Sequence, residues 1–410
     1  MAERAPLDPR IPVTVLTGFL GAGKTTLLNR LAAHPDMAGT ALLINEFGAV
    51  GIDQHLVQRV GETMVLLESG CVCCTVRGDL VEALEALHDK LARRQIPEVH
   101  RVVIETTGLA DPVPVVWTLM EQRFVAARFR CDGVLTLLDT RLGADQLDRQ
   151  EEARRQVAMA DRILLTKADL ADRSARERID TRLAALNPSA PRLAVSHGEI
   201  EPGRILGVGL YAPGSRPAEV ERWMAETEAA TREGTTPPSP HGAGPAAESF
   251  TCFFDRPVPW RGFAVAMGEI LNDYGTRLLR VKGLMNVAGL GAPVVVQCVE
   301  HVAYPPVRLP RWPADGKRFD MRGRLVFISR DLPSAAMDDI RRRLADLPDD
   351  TAALRAAATA PLLPTRCWLG MRMPTQGRST FETGGWHVQP LKLGARRDMA
   401  ASAKGTHSLS

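Results

Sequence analysis

Gly18-Phe-Leu-Gly-Ala-Gly-Lys-Thr25 lies between an apolar run, Val13–Leu16, and the helical pattern Leu27-Leu-Asn-Arg-Leu-Ala-Ala-His34. It is a full G-x-x-x-x-G-K-[ST] pattern set between a strand and a helix. Glycines let the backbone curl and turn its N–H groups inward onto phosphate oxygens. The helix that follows adds its positive end to the same place. In such a loop the lysine reaches the β and γ phosphates, and the hydroxyl after it helps to hold Mg²⁺. Gly18, Gly21, Ala22, Gly23, Lys24, Thr25 and Thr26 are therefore the candidate phosphate contacts, with Lys24 as the catalytic cation and Thr25 as a ligand of Mg²⁺.

Outward from this loop, apolar runs recur at Ala41–Ile44, Met64–Leu67, Val102–Ile104, Val134–Leu138 and Ile163–Leu165. Amphipathic stretches such as Leu80–Leu91 and Ser174–Leu186 separate them, with apolar residues three and four apart. Uninterrupted apolar strands alternating with helices predict a mostly parallel sheet covered on both faces. The fold class expected is α/β: a doubly wound, mostly parallel sheet over residues 11–205 behind a short lead (1–10), then a smaller α+β domain. Between the two, residues 206–249 read as a linker, because Thr231–Ser249 is crowded with Pro, Gly, Ser and Ala. The second domain, 250–347, offers strands at Val294–Cys298 and Arg324–Ile328. Its closing helix, Ser334–Leu347, places Met337, Ile340 and Leu344 on one face. From 348 to 410 no period is sustained, and a mostly disordered tail is expected despite Trp368 and Trp386.

Length and composition support a globular chain of two or three domains. The chain has 410 residues, 45% hydrophobic and 24% charged, which suffices for sizeable cores. A net charge of +3 is too balanced for a nucleic-acid surface, and the excess is concentrated in Arg366–Ser410. No apolar run approaches the roughly 18–20 residues of a membrane span, and MAERAPLDPR is not a secretory leader. A cytoplasmic protein without membrane or nucleic-acid partners is expected. Seven cysteines is an odd number, and three of them crowd into four positions, which reads as metal binding or reactivity rather than disulfides.

Further chemistry attaches to the other strand ends. Glu105, at the tip of Val102–Ile104, is placed to orient the Mg²⁺ shell or an attacking water. The small residues and Gly108 after it allow the turn to approach a γ phosphate. Thr166-Lys167-Ala168-Asp169 follows Ile163–Leu165. A carboxylate there accepts from both donors of guanine and repels the bare acceptor of adenine, so GTP is expected over ATP. The lysine stem packs on the base, and Thr166 stands where this motif usually has Asn. Cys71, Cys73 and Cys74 follow Met64–Leu67 in what reads as a glycine-flanked loop. Three thiolates suit Zn²⁺ first, with Cu(I) and Co²⁺ as alternatives, and leave one coordination position open. A redox pair and a set of buried apolar thiols are the competing readings. Glu46, after the second strand, is a candidate ligand of the thiol-bound metal or of Mg²⁺.

Taken together, GFLGAGKTTLLN, NEFGAVGID, GCVCCTVRGDL, IETTGLADPVP and ADRILLTKADL resemble the CobW-type (YjiA-like) P-loop GTPases, of the same broad class as the nickel chaperones HypB and UreG. FDRPVPWRGF, LLRVKGLMNV, VVQCVEHV and RLVFISRDLP resemble that family's C-terminal domain, so the resemblance spans roughly residues 11–333. It implies slow hydrolysis of GTP to GDP and phosphate, coupled to binding of a metal, usually zinc, and its delivery to a metal-dependent client. Carried over by motif, Gly21 through Thr26 hold phosphates and Mg²⁺, Glu105 belongs to the hydrolytic site, Lys167 and Asp169 read guanine, and Cys71, Cys73 and Cys74 hold the metal. Two departures bear on this. Ala49 stands where many relatives have a second glutamate, which weakens a carboxylate contribution at the metal. The linker has only His241 in place of a histidine-rich loop, which argues against metal storage. Cobalt handling for cobalamin synthesis and a regulatory GTPase with a structural thiol site are the alternatives, and a homodimer is compatible with either.

Overall fold

The computed structural model describes residues 8–44, 64–68, 72–207, 247–309, 311–312, 321–359, 363–371 and 388–389. The six apolar runs of the first domain are strands: β1 (Ile11–Gly18), β2 (Thr40–Ile44), β3 (Met64–Glu68), β4 (Arg101–Glu105), β5 (Phe129–Asp139) and β6 (Arg162–Thr166). A seventh, β7 (Arg192–Val195), was not anticipated. Only four residues long and opened by an arginine, it carries too short a pattern to stand out. The strand order is β3-β2-β4-β1-β5-β6-β7, and every neighbouring pair is parallel. After β1 the chain builds outward on the β4 side and later on the β5 side. The loop following β1 therefore sits at the reversal point, where open α/β sheets bind ligands. Helices with one apolar stripe pack on both faces. Leu80, Leu84 and Leu87 of Val72–Ala92 lie in one core cluster, and Leu27, Leu28 and Leu31 of Lys24–Ala32 lie in another.

The second sheet is antiparallel and joins β8 (Ala247–Phe254), β9 (Leu278–Met285), β10 (Val294–Val299), β11 (Val302–Ala303), β12 (Val307–Arg308), β13 (Gly323–Arg330) and β14 (Val388–Gln389). Its order is β11-β10-β9-β13-β8-β14, with β12 also on β10. Helices Trp260–Tyr274 and Ser334–Ala345 share a core with it. Ile340 and Leu344 are fully buried there and Met337 packs at the margin, as the spacing predicts. Strand β8 starts at Ala247, which pairs with Arg330, so residues 247–249 belong to the sheet rather than to the linker. β9 escapes a reading by apolar runs because Arg280 and Lys282 interrupt it. Both are nonetheless buried, facing the first domain.

The expected disorder after residue 347 is corrected for part of that stretch. Asp350–Thr359 and Arg366–Leu369 are helical, and Trp368 is fully buried. Its ring stacks on Trp260 at 5.7 Å and on Phe263 at 5.8 Å between centroids, and its Nε1 donates to the Tyr304 carbonyl. Trp368, with Ala353 and Leu363 packed on Val265, anchors this segment through scattered residues, so no periodicity announces it. Trp386, most of the linker and the chain after 389 lie outside the described residues. Among the described residues, no helix is long and apolar enough to cross a membrane.

Candidate functional site

Three loops from the carboxyl ends of β1, β4 and β6 meet at one edge of the first sheet. Gly23 caps helix Lys24–Ala32 at φ +94°, a left-handed conformation that only glycine adopts without strain. Lys24 follows as the first helical residue. It is buried, and its Nζ donates to the Gly18 carbonyl at 2.8 Å, which places the ammonium inside the curve of the loop. Ala22 is buried, whereas Thr25 is half-buried and Thr26 exposed, on the loop's outer side.

Glu105 ends β4, in register with Leu16 of β1 and Ile44 of β2, and is 3% exposed. Thr106 then bridges back to β1. Its N–H donates to the Leu16 carbonyl at 2.9 Å and its hydroxyl to Thr17 Oγ1 at 2.8 Å. Gly108 is where the turn touches the phosphate loop. A Cβ there would lie 2.6 Å from Leu20 Cδ2 and 2.8 Å from the Leu20 nitrogen, closer than any side chain could be accommodated. The glycine at this position is a requirement of the close approach of two backbones.

The loop after β6 is tied to the loop after β1 at two points. Thr166 Oγ1 donates to the Ala22 carbonyl at 2.9 Å, and Lys167 Nζ donates to the Gly21 carbonyl at 2.7 Å and to Asp139 Oδ2 at 2.9 Å. Threonine in the usual Asn position thus supplies a donor to the phosphate loop. Lys167 takes φ +54°, which turns the chain sharply into the short helix Ala168–Leu170 and leaves Asp169 exposed. Sequence reasoning missed Asp139, which ends β5 and is 2% exposed. Burial pushes its carboxyl up, but the Lys167 ammonium and the backbone N–H groups of Leu142 and Arg141 outweigh this and hold it below the usual aspartate range. The signal was available: like Glu105, it is a carboxylate at the very end of an apolar strand.

The thiol motif is placed only in part. Helix Val72–Ala92 begins at Val72, so the backbone of Cys73 and Cys74 belongs to its first turn rather than to a loop. Cys71 and Glu46 lie outside the described residues, as does Ala49. Strand β3, which leads into the motif, is parallel to its neighbours and ends on the edge that carries the phosphate loop. Three other cysteines are buried in strands, and burial pushes the thiols of Cys131 and Cys252 up to about 12 and that of Cys298 further. These three behave as small apolar residues.

A family model described as the CobW/HypB/UreG nucleotide-binding domain matches residues 12–194, and one described as the cobalamin synthesis protein cobW C-terminal domain matches residues 247–347. The zinc chaperone YjiA of Escherichia coli (strain K12) is 33% identical over 295 residues, covering 71% of this chain and 87% of that protein. The zinc-regulated GTPase metalloprotein activator 1 of Schizosaccharomyces pombe is 34% identical over 214 residues, half of each chain. The crystal structure of Zn(II)-bound YjiA GTPase from E. coli superposes with a TM-score of 0.60 at 29% identity, covering 83% of this chain and 99% of that one.

Proposed function

The chain belongs to the CobW/HypB/UreG family of P-loop GTPases, and we propose that it hydrolyses GTP and uses the cycle to hold Zn²⁺ at Cys71, Cys73 and Cys74 and release it to a metal-dependent client. The observation that carries the nucleotide half is the mutual fastening of three loops. Gly108 lies on Leu20, Thr166 is bonded to Ala22, and Lys167 to Gly21, so the phosphate, hydrolytic and base-reading residues form one surface. Lys24 supplies fixed positive charge where negative charge gathers on the transferred phosphoryl group. A hard divalent cation fits the donor set on this edge, since the Thr25 hydroxyl and the buried Glu105 carboxylate both offer oxygen. Mg²⁺ bound there would neutralise charge on the β and γ phosphates; Glu105 would orient its shell or the attacking water.

Asp169 is the residue that would choose guanine. Asp169→Asn exchanges a carboxylate accepting two hydrogen bonds for an amide that donates at one of them. GTP affinity should fall about ten- to a hundredfold, since each charge-assisted bond contributes ~1.5–3 kcal/mol, and xanthine nucleotides should gain. Competition of GTP, XTP and ATP for the wild type and the variant tests this. Equal competition by ATP and GTP in the wild type rules out the guanine reading.

Support for the zinc half comes from the chemistry of the thiols and from the names of the relatives. Burial keeps Cys131, Cys252 and Cys298 protonated and raises the thiol of Cys367, which stands alone, so the clustered three are the best candidates for thiolate chemistry. Zinc is cargo in this reading, and an open fourth position suits a site that passes its ion on. The triple Cys71→Ser, Cys73→Ser, Cys74→Ser variant should keep GTP binding and lose zinc binding. Co²⁺ loaded into the wild type should show thiolate-to-metal charge-transfer absorption that is missing from the variant, and zinc uptake should release protons. Zinc affinity equal to wild type in the variant would move the site elsewhere.

A further inference from the structure

Helix Glu151–Met159 takes no part in the phosphate loop, yet its side chains reach the turn that follows Glu105. Gln156 is 1% exposed, and its Nε2 donates to the carbonyls of both Gly108 and Ala110, each at 3.1 Å. We propose that Gln156 is a positioning residue for GTP hydrolysis, holding the 105–110 turn in the conformation that presents Gly108 to the phosphate loop; the proposal rests on the reading of the chain as a GTPase.

Gly108 has no side chain to restrict its own backbone, so its conformation has to be set from outside. On one side Thr106 is pinned to β1 through its N–H and hydroxyl. On the other side Gln156 pins the Gly108 carbonyl and, two residues on, the Ala110 carbonyl. Both protons of one amide nitrogen are used, and the turn between the two anchors has little freedom left. The orientation of the amide is dictated by this environment, because the reverse would set an oxygen against two carbonyl oxygens. Its acceptor, Oε1, has no hydrogen-bond partner among the described residues. Leaving a buried acceptor unsatisfied costs stability that an apolar side chain would not incur, so the two donated bonds are what the glutamine contributes.

Gln156 is itself held. The Thr136 hydroxyl donates to its backbone carbonyl at 2.7 Å, fastening the helix to β5. Its neighbour Arg155 is bonded to Asp111, at the far end of the turn, and to Glu151. Glu151 is paired with Arg330 of β13, and the Met159 carbonyl accepts from Arg280 of β9. The brace behind Gly108 is therefore anchored in both domains, and a γ phosphate meeting Gly108 meets a backbone that cannot recoil freely.

Gln156→Met, which keeps length and volume but removes both donors, is the decisive variant. Its kcat for GTP should fall roughly ten- to a hundredfold, as expected when a reacting geometry is loosened. KM and GDP affinity should stay within about threefold, because the phosphate and base loops are untouched. Amide exchange of residues 105–111, read by mass spectrometry in the nucleotide-free protein, should rise. Gln156→Asn keeps the amide but cannot reach both carbonyls, and should behave alike if the methionine variant does not fold. Unchanged exchange overturns the positioning role whatever the turnover; raised exchange with kcat within twofold of wild type overturns its link to hydrolysis. A wild type with no GTP turnover overturns the GTPase reading instead, while the exchange result still decides whether Gln156 holds the turn.

Discussion

Lys24→Ala should nearly abolish GTP turnover, with kcat lowered on the order of a hundred- to a thousandfold, the loss seen when one preorganised charge or donor is taken from a transferring group. The argument depends on place as well as charge. Lys24 is buried at the start of its helix and its ammonium is directed across the loop to the Gly18 carbonyl, so its charge is already held within the loop and largely away from bulk water. GTP affinity should fall less than turnover, because the loop's backbone N–H groups and the helix end remain. The fold should persist. The Gly23 cap and the β1 pairings do not use the lysine, and the loss is of hydrogen bonds that each contribute ~1 kcal/mol net. Phosphate release under saturating GTP, with GDP binding and thermal unfolding measured on the same preparation, checks each part. Turnover equal to wild type would remove Lys24 from the hydrolytic site. Lys24→Arg should fail nearly as completely, since a planar guanidinium does not reproduce a compact ammonium in so narrow a loop.

The parts of the site that could be read in the sequence are those whose chemistry is local. Gly18–Thr25 needs only its own backbone and the helix behind it, and the apolar strands β1 to β6 announce themselves because both faces of that sheet are covered. What stayed hidden depends on partners distant in the chain. Asp139 acquires meaning from Lys167, and Gln156 from the carbonyls of Gly108 and Ala110 almost fifty residues away. β9 reads as polar because Arg280 and Lys282 look like solvent-facing residues until Asp161 of the first domain is placed opposite them. Trp368 stands in an Ala- and Pro-rich stretch whose composition argued for disorder, and its stacking on Trp260 and Phe263 and its bonds to partners far back in the chain order it. Cys73 and Cys74, expected in a loop, lie instead in a helix start, because Val72–Ala92 extends the helix of Leu80–Leu91 a little over two turns further back than the apolar spacing marked.

Asp161→Ala should be the most damaging substitution for stability. Asp161 lies between helix Glu151–Met159 and β6. One carboxylate oxygen accepts from the Val134 N–H at 3.0 Å, while the other meets Arg280 and lies 3.5 Å from Lys282 Nζ. The aspartate side chain is fully buried and the arginine and lysine are 3% and 8% exposed, so little water is present to replace it. Removing the carboxylate takes a buried negative charge away from Arg280 and Lys282 at the contact between the domains and frees the Val134 N–H as well. Arg280 keeps its bonds to the Met159 carbonyl and Gln297, which softens the loss without supplying a counter-charge. Breaking a buried pair from one side costs ~3–5 kcal/mol, and at about 2–4 °C per kcal/mol for domains of this size the melting point should fall on the order of 10 °C. Because the lost contacts bridge the two sheets, calorimetry should also resolve the transition into separate events for the two domains. Arg280→Met with Lys282→Met, made together with Asp161→Leu, removes the charges from both sides and should recover much of the loss, since a packed apolar contact can replace a buried ion cluster. A melting point for Asp161→Ala within about 2 °C of wild type would mean that the two domains are not held together by this cluster.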